Sequence, residues 1–211
     1  MKTKIAWLII LLSTMSLSAY SQSDDEFYKG SNQQKGSKQE VSPNGKWVVS
    51  AGAVYGNRTV SLSTTNNVSV GDGDVNFKCR NISGLNVSIE NKLVLIEAGY
   101  AGSDLLKMFA GKVYLGANFM PKKRFQILLH GGIGYSYNKI DDDLLEKKGI
   151  QSIDLGIKLR TRFFITNTFA IYLGGYGCLS LMEDKLVYDG QEYKSTGGSL
   201  ANLEAGVAYS F

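Results

Sequence analysis

Alternation of apolar and polar residues is the main pattern of this chain, and it is clearest at the C-terminal end, from Ser199 to Phe211. Counting back from Phe211, every second residue is apolar or aromatic: Tyr209, Val207, Ala205, Leu203 and Ala201. The intervening positions are small or polar apart from Leu200. A β-strand shows this period of two when its faces meet different environments. An apolar face that ends in an aromatic residue is typical of the closing strand of a barrel in lipid.

The same alternation recurs in earlier segments, which are separated by residues that favour turns. The predicted strands are 46–56, 82–89, 93–101, 108–119, 125–137, 150–164, 169–182 and 199–211. Long connections alternate with short ones, as in bacterial barrels that have short periplasmic turns and longer exterior loops. The pattern therefore predicts an all-β fold, an eight-stranded antiparallel up-and-down transmembrane β-barrel.

The second face of these strands is polar, and its alternation places it inside the barrel. Its charged residues are Glu90, Glu97, Lys112, Asp154, Lys158, Arg160, Arg162 and Glu204. An eight-stranded barrel has room inside only for packed side chains. Because an unpaired buried charge is costly, we expect these four acids and four bases to form a paired network in the lumen. The opposite face should be free of charge, since Lys or Arg facing lipid at mid-depth costs about 2–4 kcal/mol.

The N-terminal segment has the composition and order of a secretory signal peptide. Two lysines precede an apolar run, Ile5 to Leu12, and small residues follow at Ala19 and Ser21. An uncleaved membrane anchor is the alternative, but the run is short for a spanning helix, which needs roughly 20 residues. The predicted domains are a signal peptide at 1–21, a flexible, polar periplasmic lead-in at 22–45 and the barrel at 46–211.

Composition narrows the function classes. Lys and Arg number 23 against 19 Asp and Glu, a net charge of +4, which does not favour nucleic acid as a partner. Beyond the N-terminal segment no apolar stretch is long enough for a spanning helix. Two cysteines, Cys79 and Cys178, permit one disulfide bond but do not require it. No cofactor is predicted.

Three segments carry a family resemblance: GKVYLGANF, LLHGGIGYSY and LEAGVAYSF. With the N-terminal pattern, they resemble the small outer-membrane barrels of Gram-negative bacteria, of the OmpA/OmpX type. The resemblance extends to the "outer membrane protein beta-barrel domain" proteins common in Bacteroidetes, and covers about 46–211. It implies residence in the outer membrane, contact with its lipid and lipopolysaccharide, and assembly by the outer-membrane insertion machinery. That machinery would recognise the final strand through Val207, Tyr209 and Phe211.

The sequence contains few candidate catalytic or metal-binding residues. His130 is the single histidine and faces inward by alternation. Outer-membrane lipid A deacylases use a histidine and a serine two residues later, but position 132 is glycine here. Ser136 and Glu204 could complete a triad with His130, so a lipid-modifying hydrolase is one alternative. The acidic run 141–143 lacks the spacing of a dedicated cation loop, and we predict no metal site.

The favoured hypothesis is a non-enzymatic outer-membrane barrel with a structural or surface-interaction role. Segment 57–81 is the longest predicted loop, so we expect it to contact an extracellular or envelope protein. A narrow pore for small solutes is a second alternative. A soluble periplasmic, lipocalin-like barrel is the alternative at the level of the fold, with its apolar face turned inward.

Overall fold

A computed structural model describes residues 47–64, 75–121, 123–141, 149–181, 185–188 and 191–211. The predicted signal peptide and lead-in, 1–21 and 22–45, lie outside these ranges. Helices long and apolar enough to cross a membrane are absent from the described ranges.

Nine strands make up the described structure, and they form one antiparallel sheet. They are β1 (Val48–Thr64), β2 (Val75–Glu90), β3 (Val94–Gly102), β4 (Leu106–Asn118), β5 (Phe125–Ile140), β6 (Gly149–Phe164), β7 (Phe169–Leu181), β8 (Lys185–Tyr188) and β9 (Gln191–Ser210). From β1 to β7, each strand pairs with the next one in the chain. Both β7 and β8 pair with β9, and β9 pairs with β1. Because β8 occupies the same edge of β9 as β7, further along, the closed wall has eight positions. This confirms the predicted eight-stranded antiparallel barrel.

The two ends of the barrel differ. At one end the connections are brief, at 91–93, 119–124 and 165–168, and the backbones of Trp47 and Phe211 hydrogen-bond to each other. We call this the short-turn end. The opposite end, which we call the long-loop end, carries the connections after β1, β5 and β7 and the three-residue turn at 103–105. This asymmetry is the usual one for barrels with a periplasmic and an exterior side.

The predicted loop 57–81 was wrong over much of its length, because 57–64 belong to β1 and 75–81 to β2. A β-bulge between β1 and β2 explains why the alternation of β2 does not continue through 75–81. Gly56 pairs with Ile82, whereas Arg58 pairs with Cys79, so β2 carries one residue more than β1. Asn81 occupies the bulge with φ 57°, a left-handed conformation that asparagine tolerates, and its Oδ1 accepts a 2.6 Å hydrogen bond from Tyr55. The extra residue reverses which positions of β2 face inward.

Strand β9 begins before its predicted start at Ser199, and a second bulge lies in this added part. Ser61 pairs with Gly197 and Leu62 with Ser195, so β9 has an extra residue there. Gly197 has φ +136°, which glycine adopts without strain. The predicted connection 183–198 is thus partly strand, in β8 and the first part of β9.

The orientation of the side chains separates the membrane barrel from the soluble alternative. Ile157 and Leu159 of β6 are 58% and 50% exposed on the outer wall, whereas Lys158 and Arg160 between them are fully buried in the lumen. A lipocalin-like barrel requires the reverse. The described structure therefore excludes that alternative.

Apolar side chains close the lumen at both ends. At the short-turn end the buried cluster consists of Val48, Phe164, Ala170, Tyr172 and Ala208. A larger buried cluster reaches the long-loop end, where it includes Val60, Leu106, Ile140, Ile150 and Tyr193. The polar groups of the lumen lie between these apolar residues and are shielded from water at each end.

Placing a charge on the outer wall at mid-depth should destabilise the barrel. We expect Ile157→Lys to lower the free energy of unfolding in lipid vesicles by about 2–4 kcal/mol, the cost of a lipid-facing lysine near the bilayer centre. Thr59→Lys is the control, because Thr59 lies on the same wall in the extension of β1 toward the long-loop end. Equal unfolding free energies for the two variants would contradict a lipid-facing wall.

Candidate functional site

The lumen contains the main concentration of charged groups in the described chain. The structure places all eight charged residues selected from the sequence on its inner face, none more than 6% exposed: Glu90, Glu97, Lys112, Asp154, Lys158, Arg160, Arg162 and Glu204. They come from β2, β3, β4, β6 and β9. Seven of them form one connected set, and Asp154 lies in a second set nearer the long-loop end.

Glu204 is the best-bonded carboxylate of the first set. Its Oε1 accepts a hydrogen bond from Arg160 Nε at 2.9 Å. Its Oε2 accepts from Lys158 Nζ at 2.8 Å and from Asn86 Nδ2 at 2.7 Å. Hydrogen bonds between ionised groups are about twice as strong as neutral ones. Glu204 therefore ties β9 to β2 and β6 through the interior.

Glu97 of β3 shares the same donors from the other side. Its Oε2 accepts from Lys158 Nζ and, at 3.3 Å, from Asn86 Nδ2. Arg160 Nη2 and Lys112 Nζ lie 3.6 and 3.9 Å from its carboxylate oxygens. Lys158 is thus held between two carboxylates, which offsets much of the cost of burying its charge.

Glu90 extends the network to the short-turn end. Its Oε2 accepts a 2.6 Å hydrogen bond from Arg162 Nη2 and lies 3.6 Å from Arg160 Nη1. Arg162 also donates to Gln126 at 3.4 Å, and Gln126 donates to the Pro121 carbonyl of the β4–β5 turn at 2.9 Å. The network therefore runs from the middle of the lumen to a turn at its edge.

Aromatic rings pack against the cations, in space that inward glycines leave open. Lys112 Nζ lies 3.9 Å from the ring centroid of Tyr176, and the Arg160 guanidinium lies 4.3 Å from that of Tyr172. Such contacts add cation–π attraction. A Cβ at Gly156 would come within 2.5 Å of the Tyr176 ring, so only glycine fits beside it.

The second set contains Arg58, a residue that the sequence analysis missed. Arg58 is fully buried, and its two terminal nitrogens lie 3.5 Å from Asp154 Oδ1. Ser152 accepts from Arg58 at 3.0 Å and donates to Asp154 at 3.2 Å, while Ser180 also donates to Asp154. Arg58 was assigned to a loop because asparagine and serine follow it. The even-numbered inward positions from Val48 to Gly56 continue through it and could have revealed it.

With Arg58 included, the described lumen holds five buried cations and four carboxylates rather than equal numbers. A pocket beside Asn86, Glu97, Gly99 and Lys112 encloses about 20 Å³. A cavity of that size has room for about one water molecule.

The candidate triad is not assembled. His130 is buried in the lumen, and its Nδ1 has no hydrogen-bond partner among the described groups. Ser136 shares a 2.6 Å hydrogen bond with Ser152, and the Glu204 oxygens are occupied by cations and Asn86. No hydrogen bond given by the structure joins His130 to either residue.

The remaining candidate residues lie apart from the lumen network or at its edge. Cys79 and Cys178 are buried, and no disulfide joins them. Val207, Tyr209 and Phe211 all face outward, at 46%, 54% and 58% exposure. Acidic residues 142 and 143 lie outside the described ranges. Groups of histidine, cysteine and carboxylate side chains that could bind a metal are absent from the residues that the structure describes.

Neutralising Glu204 should destabilise the barrel strongly. We expect Glu204→Gln to lower the free energy of unfolding by about 3–5 kcal/mol, because Lys158 and Arg160 then lose a buried counter-ion. Chemical denaturation of the protein refolded in vesicles measures this. Asp104→Asn, at an exposed carboxylate in the β3–β4 turn, is the control with an expected change within about 0.5 kcal/mol. Similar values for both variants would show that the buried network does not stabilise the fold.

Solved structures with a similar chain path are outer-membrane proteins. The outer membrane protein OprG from Pseudomonas aeruginosa superposes with a TM-score of 0.52 at 10% identity, over 82% of this chain and 98% of that chain. Neisserial surface protein A (NspA) gives a TM-score of 0.48 at 13% identity, over 79% and 97%. Ail of Yersinia pestis gives 0.40 at 13% identity, over 77% and 98%. The likeness to OprG agrees with the outer-membrane barrel fold and, at this identity, shows the fold alone.

The sequence comparisons identify the family. No curated protein matches this chain. The narrower resemblance to the Bacteroidetes barrel proteins stays a prediction. The family model described as "Domain of unknown function (DUF2715)" matches residues 33–209, which include the whole barrel except its last residues, and the chain belongs to that family.

Proposed function

We propose that this protein is a non-enzymatic integral barrel of the outer membrane, and that its interior stabilises the wall rather than conducting solutes or catalysing a reaction. One observation carries the proposal: a continuous chain of ion pairs crosses the lumen. It runs from Glu97 to Lys158, then to Glu204 and Arg160. Charged side chains that bond to one another across a barrel this narrow fill the space a channel would need. The described lumen carboxylates and His130 are accordingly no more than 6% exposed.

The outer-membrane location rests on the outer wall. Apolar side chains cover it, with Leu85, Leu173, Leu179 and Leu203 each more than 60% exposed. A patch of this kind around a whole protein is incompatible with water and suits lipid. We propose that the predicted signal peptide directs export, and that the insertion machinery recognises Val207, Tyr209 and Phe211 on β9.

The surface-interaction role is assigned to the long-loop end. β1 and β2 contain 17 and 16 residues, more than the 9–11 that a tilted strand needs to cross the bilayer. Toward that end their outward residues change from apolar to polar, to Asn57, Lys78 and Arg80. We propose that this projecting hairpin, in place of a loop over 57–81, contacts extracellular or envelope proteins.

Cell fractionation tests the location. We expect the protein in the outer-membrane fraction, with an unheated gel band that migrates differently from the heated band because a closed β-barrel resists unfolding in detergent. A variant that disrupts closure, such as Gly206→Val, is the matched control. A Cβ at Gly206 would come 2.5 Å from the Gly52 Cα of β1, so this variant should lose the heat-dependent shift. Recovery of the wild-type protein in the soluble periplasmic fraction would contradict the proposal.

Electrical recording tests the closed lumen. Purified protein in planar lipid bilayers should give no discrete conductance steps, because the ion-paired interior leaves no continuous water path. The Lys112→Ala/Tyr176→Ala variant, which removes two large inward side chains, serves as a comparison in which steps can emerge. Reproducible steps from the wild-type protein would favour the pore alternative.

A further inference from the structure

Lys112 and Glu97 are opposite each other in the register of β4 and β3, but their charged groups do not touch. Lys112 Nζ lies 3.9 Å from Glu97 Oε1, a distance too long for a hydrogen bond. Both side chains are only 6% exposed, so the ammonium donors of Lys112 need an acceptor inside the lumen. A gap of this length between polar groups is typical of a bridging water molecule.

Space for such a molecule lies beside the pair. Two residues further toward the long-loop end, the next inward positions of the same strands are Gly99 and Ala110, which also pair with each other. Their small side chains border the pocket of about 20 Å³ that Lys112 and Glu97 line. That volume holds about one water molecule. The apolar clusters at the two ends of the lumen separate the pocket from bulk solvent.

The pocket is lined by groups that still have hydrogen-bonding capacity. The hydrogen bonds given for the Glu97 carboxylate all reach Oε2, which leaves Oε1 facing Lys112. Asn202 of β9 also lines the pocket, and its buried Oδ1 has no hydrogen-bond partner among the described residues. Asn86, by contrast, already donates to two carboxylates and accepts from Tyr172. One donor and two acceptors therefore remain, which is the complement of a single water molecule.

The charges around the pocket also favour a neutral occupant. A small anion would meet the Glu97 carboxylate, and a small cation would meet the Lys112 ammonium, each at short range. In an interior of low dielectric constant, such repulsion is strong. Water can accept from the ammonium and donate to the carboxylate at the same time.

We propose that this pocket, which we call the water pocket, binds one buried water molecule as a permanent member of the lumen network. The water accepts a hydrogen bond from Lys112 and donates to Glu97 Oε1 and Asn202 Oδ1. It thereby links β4 and β3 to β9. The proposal concerns the interior alone and does not depend on where the barrel resides in the cell.

Magnetic resonance of the refolded full chain in deuterated detergent tests the water pocket. The measured quantity is the transfer of magnetisation from water to the methyl groups of Ala110 and Val54, which line the pocket. We expect transfer to both. The controls are Ala170, fully buried in the apolar cluster of the short-turn end, and Ala98, on the outer wall, and neither should receive it. Absence of transfer to Ala110 and Val54 would overturn the proposal.

A pair of glycine substitutions tests the position of the water. Gly99→Ala puts a methyl group beside the pocket, with its Cβ 3.3 Å from the Leu85 carbonyl oxygen, whereas a Cβ at the outward Gly111 meets nothing within 4 Å. We expect Gly99→Ala to lose the transfer to Ala110 and to have a lower unfolding midpoint than Gly111→Ala, because Lys112 loses its link. Transfer that persists in Gly99→Ala, or equal midpoints, would contradict the proposal.

Two further variants keep the test decisive. If Gly99→Ala does not fold, Ala110→Val fills the pocket from β4 and should abolish the transfer to Val54. Lys112→Met removes the exchangeable ammonium protons, and the transfer to Ala110 should persist because Glu97 and Asn202 still accept from the water. Loss of the transfer in Lys112→Met would show that the signal was relayed by the lysine, and the water assignment would then be wrong.

Discussion

The closure of the sheet between β1 and β9 is the constraint on which the rest of the structure depends. Lipid offers no partner for a backbone N–H or C=O, so a sheet can cross a membrane only without free edges. Here the ladder runs from Val48 opposite Ser210 to Thr64 opposite Tyr193. Once the ladder is closed, each strand has one face toward lipid and one toward a narrow interior. Every charge in the membrane zone must then lie inside and find a partner there.

The lumen shows how that requirement is met. Lys158 lies between Glu97 and Glu204, and Asn86 donates to the same two carboxylates. A buried ion pair adds less stability than apolar residues of similar volume. Removing one partner is nevertheless costly, because the other charge stays buried without a counter-ion. The network therefore acts chiefly to make one register of the strands preferable to others. A strand displaced by one residue would turn its charges into lipid.

Strand number, facing and the identity of eight lumen charges could be predicted because alternation is a local property of each segment. The prediction was wrong where a bulge interrupts alternation, at Asn81 in β2 and at Gly197 in β9. One extra residue exchanges the inward-facing and outward-facing positions beyond it, so a period of two no longer extends through the whole strand. Arg58 was missed for a different reason: its own strand keeps its alternation, but the asparagine- and serine-rich segment that contains it was interpreted as a loop.

Away from the two bulges, the sequence alone determined which residues face lipid and which face the axis, since that choice follows from the residue's own polarity and its parity in the strand. Only the tertiary structure decided which groups meet. Arg58 reaches Asp154 across 96 residues of chain, and Lys158 reaches Glu97 across 61. Such pairs depend on the stagger between strands and on the curvature of the closed wall, neither of which is encoded in any single segment.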